Sequence, residues 1–167
     1  SAELLGSHPF AAAAAAVRMT PCWAVMVAFE SRVEVPWDGA FVHGSPLAWV
    51  ARNSSKPGRG GDADCWVLHA APDWSVAHVG MPPEDVAREL FGVFSSAVAE
   101  RIPPHHHLKA HRWRYSHGLD SAERRMLCDP ESRLVVCGDW LTGGRVEGAF
   151  FAGVRAAEAI CGRNYPR

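Results

Sequence analysis

One stretch near the C-terminus constrains the fold more than any other: Val135-Val136-Cys137-Gly138-Asp139-Trp140-Leu141-Thr142-Gly143-Gly144-Arg145-Val146-Glu147-Gly148-Ala149-Phe150. The apolar run over 134–137 reads as a buried strand. It stops at Gly138-Asp139, crosses Gly143-Gly144, and enters a helix predicted over 146–161. Such a strand–turn–helix unit aims backbone N–H groups, and the positive end of a helix dipole, at whatever lies above the turn. It suits an anionic group or the electron-rich edge of a cofactor. Gly148, Ala149, Ala152, Gly153, Ala156 and Ala157 strip one side of the helix of bulk. Close helix–sheet packing explains part of that pattern. It does not explain Asp139, a charge where a buried strand ends, or a glycine pair immediately ahead of the helix.

Bulk properties set outer limits. A chain of 167 residues fits one domain, or part of a larger enzyme. The net charge of -1 offers no basic field for nucleic acid. The apolar runs 10–17 and 21–29 are separated by Arg18 and fall short of the ~20 residues of a membrane span. No nucleic-acid or membrane partner is therefore expected. Residues 1–18 lack the basic start of a signal peptide. Five scattered cysteines without C-x-x-C spacing read as small core residues of a cytoplasmic protein. Seven tryptophans admit two readings: a large core with indole N–H groups satisfied at its edges, or a pocket walled by flat aromatic faces.

The alanine-rich segment 3–19 predicts a helix broken at His8-Pro9. Segment 22–30 reads as a central strand. Pro36-Trp37-Asp38-Gly39 signals a turn. Segments 47–54 and 65–71 form a predicted hairpin, and 74–79 a further strand. Pro82-Pro83-Glu84-Asp85 starts a helix, with Val86, Leu90, Val93, Phe94 and Val98 on one apolar face. Pro103-Pro104 ends it. Over 108–116, Lys109, His111, Trp113 and Tyr115 alternate with Leu108, Ala110, Arg112 and Arg114. Neither face is plainly apolar, so this strand should border a polar cavity or a partner. Segment 116–125 reads as a loop. Several strands with few intervening helices predict an α+β fold, a mostly antiparallel sheet with helices on one side.

Three motifs are weak. Gly58-Arg59-Gly60-Gly61-Asp62-Ala63 matches a dinucleotide fingerprint literally, but a strand follows it where a helix is required. It reads as a hairpin loop, which leaves the chain without a nucleotide-binding βαβ unit. His105-His106-His107 with His111 would suit a metal only on a helix, and no Asp, Glu or Cys joins it at ligand spacing. A solvated loop is the expectation there, and no metal site. No G-x-S-x-G elbow occurs, and no spacing of Ser, His and Asp singles out a triad.

Cys137-Gly138-Asp139-Trp140 with Gly144-Arg145-Val146-Glu147-Gly148-Ala149 resembles the C-terminal FAD motif of the flavin-containing amine oxidase superfamily. The sequence is more closely similar to bacterial renalase-like FAD/NAD(P)-dependent oxidoreductases. Further matches are Pro46-Leu47-Ala48-Trp49 with Ala51-Arg52-Asn53-Ser54-Ser55-Lys56-Pro57-Gly58-Arg59; Trp66-Val67-Leu68-His69-Ala70; Trp74-Ser75; and His111-Arg112-Trp113-Arg114-Tyr115. The likeness runs from about Pro21 to Ile160. Members of that subgroup begin with a Rossmann-type unit. The resemblance therefore implies a C-terminal half, with a substrate domain over 1–128 and an FAD-binding segment over 129–167. The Rossmann-type half, or another copy of the chain, would be its partner.

The resemblance also implies roles. Asp139 would accept hydrogen bonds from the ribityl or phosphate end of FAD, with Gly138 allowing close approach. Around the turn, Arg145, Val146, Glu147 and Gly148 would meet the isoalloxazine edge. Trp113 and Trp23 would stack on a planar substrate ring, and Arg52, Lys56 and Arg114 would hold phosphate or carboxamide groups. Arg52 and Lys56 read equally well as solvated strand ends. The implied substrate is a small molecule, a reduced nicotinamide dinucleotide or an amine. Its hydride would pass to flavin and on to oxygen, giving hydrogen peroxide. A non-catalytic ligand- or partner-binding module is the alternative.

Overall fold

The computed structural model describes residues 2–59, 61–98, 101–118 and 126–162. Strand β1 (Met19–Phe29) is built from β-branched, aromatic and small residues, and lies inside the sheet. Its odd positions Trp23, Val25, Val27 and Phe29 are buried in the main core, and the alternate positions Cys22, Ala24 and Ala28 are small and also buried. Strands β2 (Gly39–Phe41), β3 (Leu47–Arg52), β4 (Asp64–Ala70) and β5 (His105–Gly118) complete a five-stranded antiparallel sheet in the order β2-β3-β4-β1-β5. The predicted hairpin is present: Val50 faces Leu68 and Arg52 faces Trp66 across β3 and β4. Val27 faces Trp66 across β1 and β4.

Helices cover one face of this sheet. The long helix α3 (Pro83–Val98) turns Val86, Leu90, Phe94 and Val98 inward, as its periodicity required. Its Phe94 ring lies 5.4 Å from Trp66 and 6.4 Å from Phe29, centroid to centroid. Each such side chain contributes roughly 1.5–3 kcal/mol on burial. The short helix α2 (Pro72–Ala77) corrects the strand expected over 74–79. Ala71 is extended, Pro72 presets the first helical residue, and Asp73 complements the dipole. Trp74 then stacks on His78 one turn later, at 4.1 Å. The apolar residues mistaken for a strand are thereby placed at helical spacing.

Two other expectations need correction. The alanine run forms only a 3-10 turn, Glu3–Leu5, and the helix α1, Phe10–Ala15, before β1 starts at Met19. Gly6 at φ 53° and the break at Pro9 leave too few residues for the helix to propagate. The tract His105–His107 is exposed but belongs to β5, not to a loop. No group of metal-ligating side chains forms among the described residues. The loop expected over 116–125 begins as strand, Ser116 to Gly118, and its residues 119–125 lie outside the described ones. Gly60 of the glycine motif does too.

The chain forms two compact units. One is Pro21–Ser116; the other joins Ser1–Thr20 with His117–Arg167. The segment expected to bind FAD falls wholly within the second, beside the first twenty residues. That unit contains α1, the hairpin β6 (Leu127–Asp129) and β7 (Leu134–Val136), and the helix α4 (Val146–Cys161), whose bounds match the predicted ones. Among the described residues no helix is long and apolar enough to cross a membrane.

The strand ends of the first unit meet at a buried ion pair. Asp64, 6% exposed, receives hydrogen bonds from Arg52 Nη1 (2.6 Å), Val33 N (2.9 Å), Trp66 Nε1 (3.0 Å) and, on its other oxygen, Ser54 Oγ (2.9 Å). Arg52, 1% exposed, also donates to the Val33 carbonyl and lies over the Trp66 ring. Its Nε is 2.8 Å from Asp38 Oδ1, near enough for charge pairing but not aimed for a hydrogen bond. Burial pushes the Asp64 carboxyl up; the donors from Trp66, Val33 and Ser54 and the Arg52 charge outweigh it and hold the group below its ordinary range.

Removing one partner leaves the other charged and buried. Asp64→Ala should therefore lower unfolding free energy by about 3–5 kcal/mol. Asp38→Ala, whose carboxylate is 55% exposed, should cost about 1 kcal/mol or less. Urea unfolding checks both; equal losses would show that burial does not set the energetics of the pair. Since folding depresses the Asp64 pKa, its contribution is complete above the unfolded value of about 4 and is lost as pH falls through the folded one.

Candidate functional site

The strand, turn and helix are present in the expected order, but β7 is half-buried where a buried strand was expected. After β7 the chain passes Cys137 and Gly138, makes a 3-10 turn (Asp139–Leu141), and reverses through Gly143 and Gly144 at φ 83° and 70°. Those positive φ values require glycine. The Asp139 carbonyl accepts from Thr142 N (2.8 Å) and Gly144 N (2.9 Å), which closes the turn. Asp139 is half-buried. Trp140 N donates to its Oδ1 at 2.9 Å, while Oδ2 has no partner among the described residues.

The other two glycines answer to packing. A Cβ on Gly138 would stand 2.8 Å from the Trp140 ring, and one on Gly148 would stand 2.7 Å from the Thr142 carbonyl oxygen. Both contacts are impossible without movement. The small residues Ala152 and Ala156 are buried, as close packing of α4 demands.

The entry to α4 is open. Arg145 is the N-cap residue in extended conformation, and no side chain caps the helix. Arg145 and Glu147 are exposed, and Val146 is 90% exposed. Nothing lies within 4 Å of a Cβ built on Gly143 or Gly144. First-turn amides, the helix dipole and one free carboxylate oxygen thus lie at a surface that other side chains do not seal. This donor set fits the edge of an electron-accepting ring.

Within the first unit, the sheet face opposite α3 carries no helix. Phe41, Trp49, His69, His111, Trp113 and Tyr115 lie on it. Trp49 covers Gly39, where a Cβ would stand 2.8 Å from the indole. Trp113 is 57% exposed and is steadied by His111, edge-on at 4.6 Å. Such a face offers a planar ligand a stacking surface. At one edge of the helix-covered side a cleft of about 470 Å³ is lined by Trp23, Met81, Pro82, Pro83, Arg112 and Arg114, among others. The strand that showed no plainly apolar face does border a polar cavity.

The substrate residues expected from the sequence are therefore dispersed. Trp23 and Arg114 share the cleft. Trp23 is buried, with its backbone N–H on Ser75 Oγ and its indole N–H on the His78 carbonyl. Trp113 belongs to the open face. Lys56 is exposed in the turn after β3 and lines neither. Arg52 is buried in its ion pair and does not line this cleft, a placement that its sequence position could not reveal. The cysteines are corrected too: Cys22 is buried, and burial pushes its thiol up against a hydrogen bond with Ser116, but Cys128 and Cys161 are exposed.

Sequence reasoning missed one cluster. His8 Nε2 lies 3.0 Å from Asp129 Oδ2 and 3.1 Å from Ser132 Oγ, and Ser132 Oγ donates to the same carboxylate oxygen at 2.7 Å. Separations above 120 residues hid it. Phe10 N donates to His8 Nδ1, so in the neutral ring Nε2 carries the proton. Ser132 and His8 hold the Asp129 carboxyl down at about 2.

A family model described as flavin containing amine oxidoreductase matches residues 3–161 of this chain.

The crowded and the open sides of α4 give opposite expectations for the same substitution. Gly148→Ala should destabilise by roughly 1–3 kcal/mol, because the Thr142 backbone must move. Gly153→Ala, with nothing within 4 Å, should stabilise by about 0.5–1 kcal/mol. Thermal melts of the two variants separate these outcomes; a stabilised Gly148→Ala would contradict the described turn.

Proposed function

This chain belongs to the flavin-containing amine oxidoreductase family, and from that premise we propose that it is the C-terminal portion of a renalase-like, FAD-dependent oxidoreductase. The family implies a flavin. The open, uncapped first turn of α4, together with the half-buried Asp139 in the turn before it, carries the proposal.

When bound, FAD supplies the hydride acceptor and delivers the electrons to oxygen as hydrogen peroxide. The chain's part is positioning and electrostatics. In this reading the Val146 and Glu147 amides would hold the electron-accepting edge of the ring and stabilise negative charge there. Asp139 would hold the ribityl portion by accepting hydrogen bonds from its hydroxyls. Gly138, Arg145 and Gly148 shape the approach. On the substrate side Trp113, braced by His111, stacks on a planar ring of the nicotinamide type. Trp23 and Arg114 act at the cleft, and Arg52 and Lys56 are left out. Hydride transfer from a dihydronicotinamide needs no protein acid or base, so an open aromatic face without a tuned dyad suits it. An amine would need a proton removed, which makes it the second choice.

Val146→Pro tests the first-turn amide directly. Proline is tolerated at this helix position, and the side chain it replaces is solvent-exposed. Loss of one hydrogen bond to developing charge should weaken FAD binding about tenfold without changing the melting temperature. Asp139→Ala should do the same. Flavin absorbance titrations with FAD and with FMN, and peroxide release on adding reduced nicotinamide isomers, provide the readout. A chain that stays colourless in excess of both flavins would overturn the assignment in favour of a non-catalytic binding module.

A further inference from the structure

The two edges of the five-stranded sheet differ. β2, at one edge, is three residues long. β5, at the other, runs for 14 residues and, among the described residues, has β1 as its only sheet neighbour. At about 3.3 Å per residue that edge extends roughly 45 Å. Alternate residues of an edge strand turn their N–H and C=O groups outward, so β5 presents a row of unpaired backbone donors and acceptors. Edges are commonly kept short, like β2, or interrupted by proline. β5 is long, contains no proline, and is mostly exposed.

Charge decides what can pair there. Residues 105–118 include Lys109, Arg112, Arg114 and five histidines, and no Asp or Glu. None of the three cations forms an ion pair among the described residues. Arg112 donates to the Val79 carbonyl, whereas Lys109 and Arg114 are exposed. A second copy of β5 laid along this edge would set cations against cations, and directly opposed like charges destabilise a strand pair. An acidic strand would meet them with carboxylates. The two faces of β5 also differ. Arg112 and Arg114 leave one face; Trp113 and Tyr115 leave the other, with Tyr115 76% exposed. The cross-strand neighbours of an added strand would therefore alternate between guanidinium groups and aromatic rings.

We infer that the free edge of β5 accepts a further strand: an extended acidic segment of another protein chain, with carboxylates on one face and apolar side chains on the other. The backbone ladder supplies the affinity, and the alternation of charge and ring sets the register. The inference goes beyond the flavin reading and does not depend on it.

Calorimetric titration with a synthetic peptide of about ten residues, alternating Glu and Val, tests it. The controls are a Lys–Val counterpart and the Glu–Val peptide N-methylated at every residue. The Glu–Val peptide should bind at least ~tenfold more tightly than either control, and less tightly as salt is raised. It should also slow hydrogen exchange at β5 amides. Lys109→Glu and Arg114→Glu should each weaken it about threefold or more; Arg88→Glu, the same charge change on the exposed side of α3, should alter it less than about twofold. Binding of either control peptide as tight as that of Glu–Val, no added protection in β5, or equal losses in all three variants would overturn the inference. A dimer in sedimentation whose β5 amides are protected without peptide would overturn it too, because the edge would then belong to a second copy.

Discussion

A carboxylate that takes hydrogen bonds from four donors holds the first unit in register. Asp64 gathers Val33 from the segment after β1, Arg52 and Ser54 from the end of β3, and Trp66 from its own strand. A lone buried charge would cost several kcal/mol, so the strand ends tolerate this one only with every partner in place. Trp66 is the link to the core. Its indole N–H serves the carboxylate, its face carries the Arg52 guanidinium, and its ring packs at a tilt against Phe94 of α3. The polar end of the sheet and the apolar floor beneath α3 are therefore fixed by the same residue. A slip of β4 by one residue would turn Asp64 and Trp66 to the other face together and dissolve both.

One-sided coverage follows and has a functional consequence. α2 and α3 occupy the face that carries Trp23, Phe29 and Trp66, where large side chains fill the space. The other face pairs small residues of β1 with aromatic ones at the margins. Ala24 and Ala28 leave a shallow floor; Trp49, Trp113 and Tyr115 stand around it. A sheet meant to be buried on both faces would read as a continuous apolar run in every strand. β5 does not. It places His111, Trp113 and Tyr115 outward, a composition that resists non-specific collapse yet still offers flat rings.

The sequence made much of this legible where one local rule dominated. The bounds of α4, the apolar face of α3, the β3–β4 hairpin and the open turn at Gly143-Gly144 each follow from periodicity, capping or glycine chemistry. Two misses depended on contacts distant in sequence. Residues 74–79 alternate well enough for a strand, but Ser75 and His78 instead anchor Trp23 from a helix. Arg52 has the composition of a solvated strand end; only the fold brings Asp64 and Asp38 to it. At Gly138 and Gly148 the structure adds a packing reason for glycine, since Trp140 and Thr142 leave no room for a Cβ. Trp23 lines the cleft with the Arg112 guanidinium over its ring, a pairing between strands that no local pattern shows.

The His8–Asp129–Ser132 cluster bears on the reaction class because it contains the residue types of a hydrolase triad in the wrong order. A nucleophilic serine needs an imidazole nitrogen free to take its proton. Here Phe10 N–H occupies Nδ1, and the other nitrogen donates toward Asp129. Ser132 gives its proton to the carboxylate directly. The hydroxyl is thus a second donor to Asp129, not a nucleophile under activation. The cluster ties His8, two residues before α1, to the turn that follows β6, and Ser132 ahead of His8 depresses the Asp129 carboxyl. Asp64 is depressed for an equally structural reason. On the proposed reading the chain's own contribution is the first-turn amides of α4 and, within the first unit, an aromatic sheet face without a helix; groups of this kind orient a reactant and stabilise charge while a bound cofactor carries the electrons.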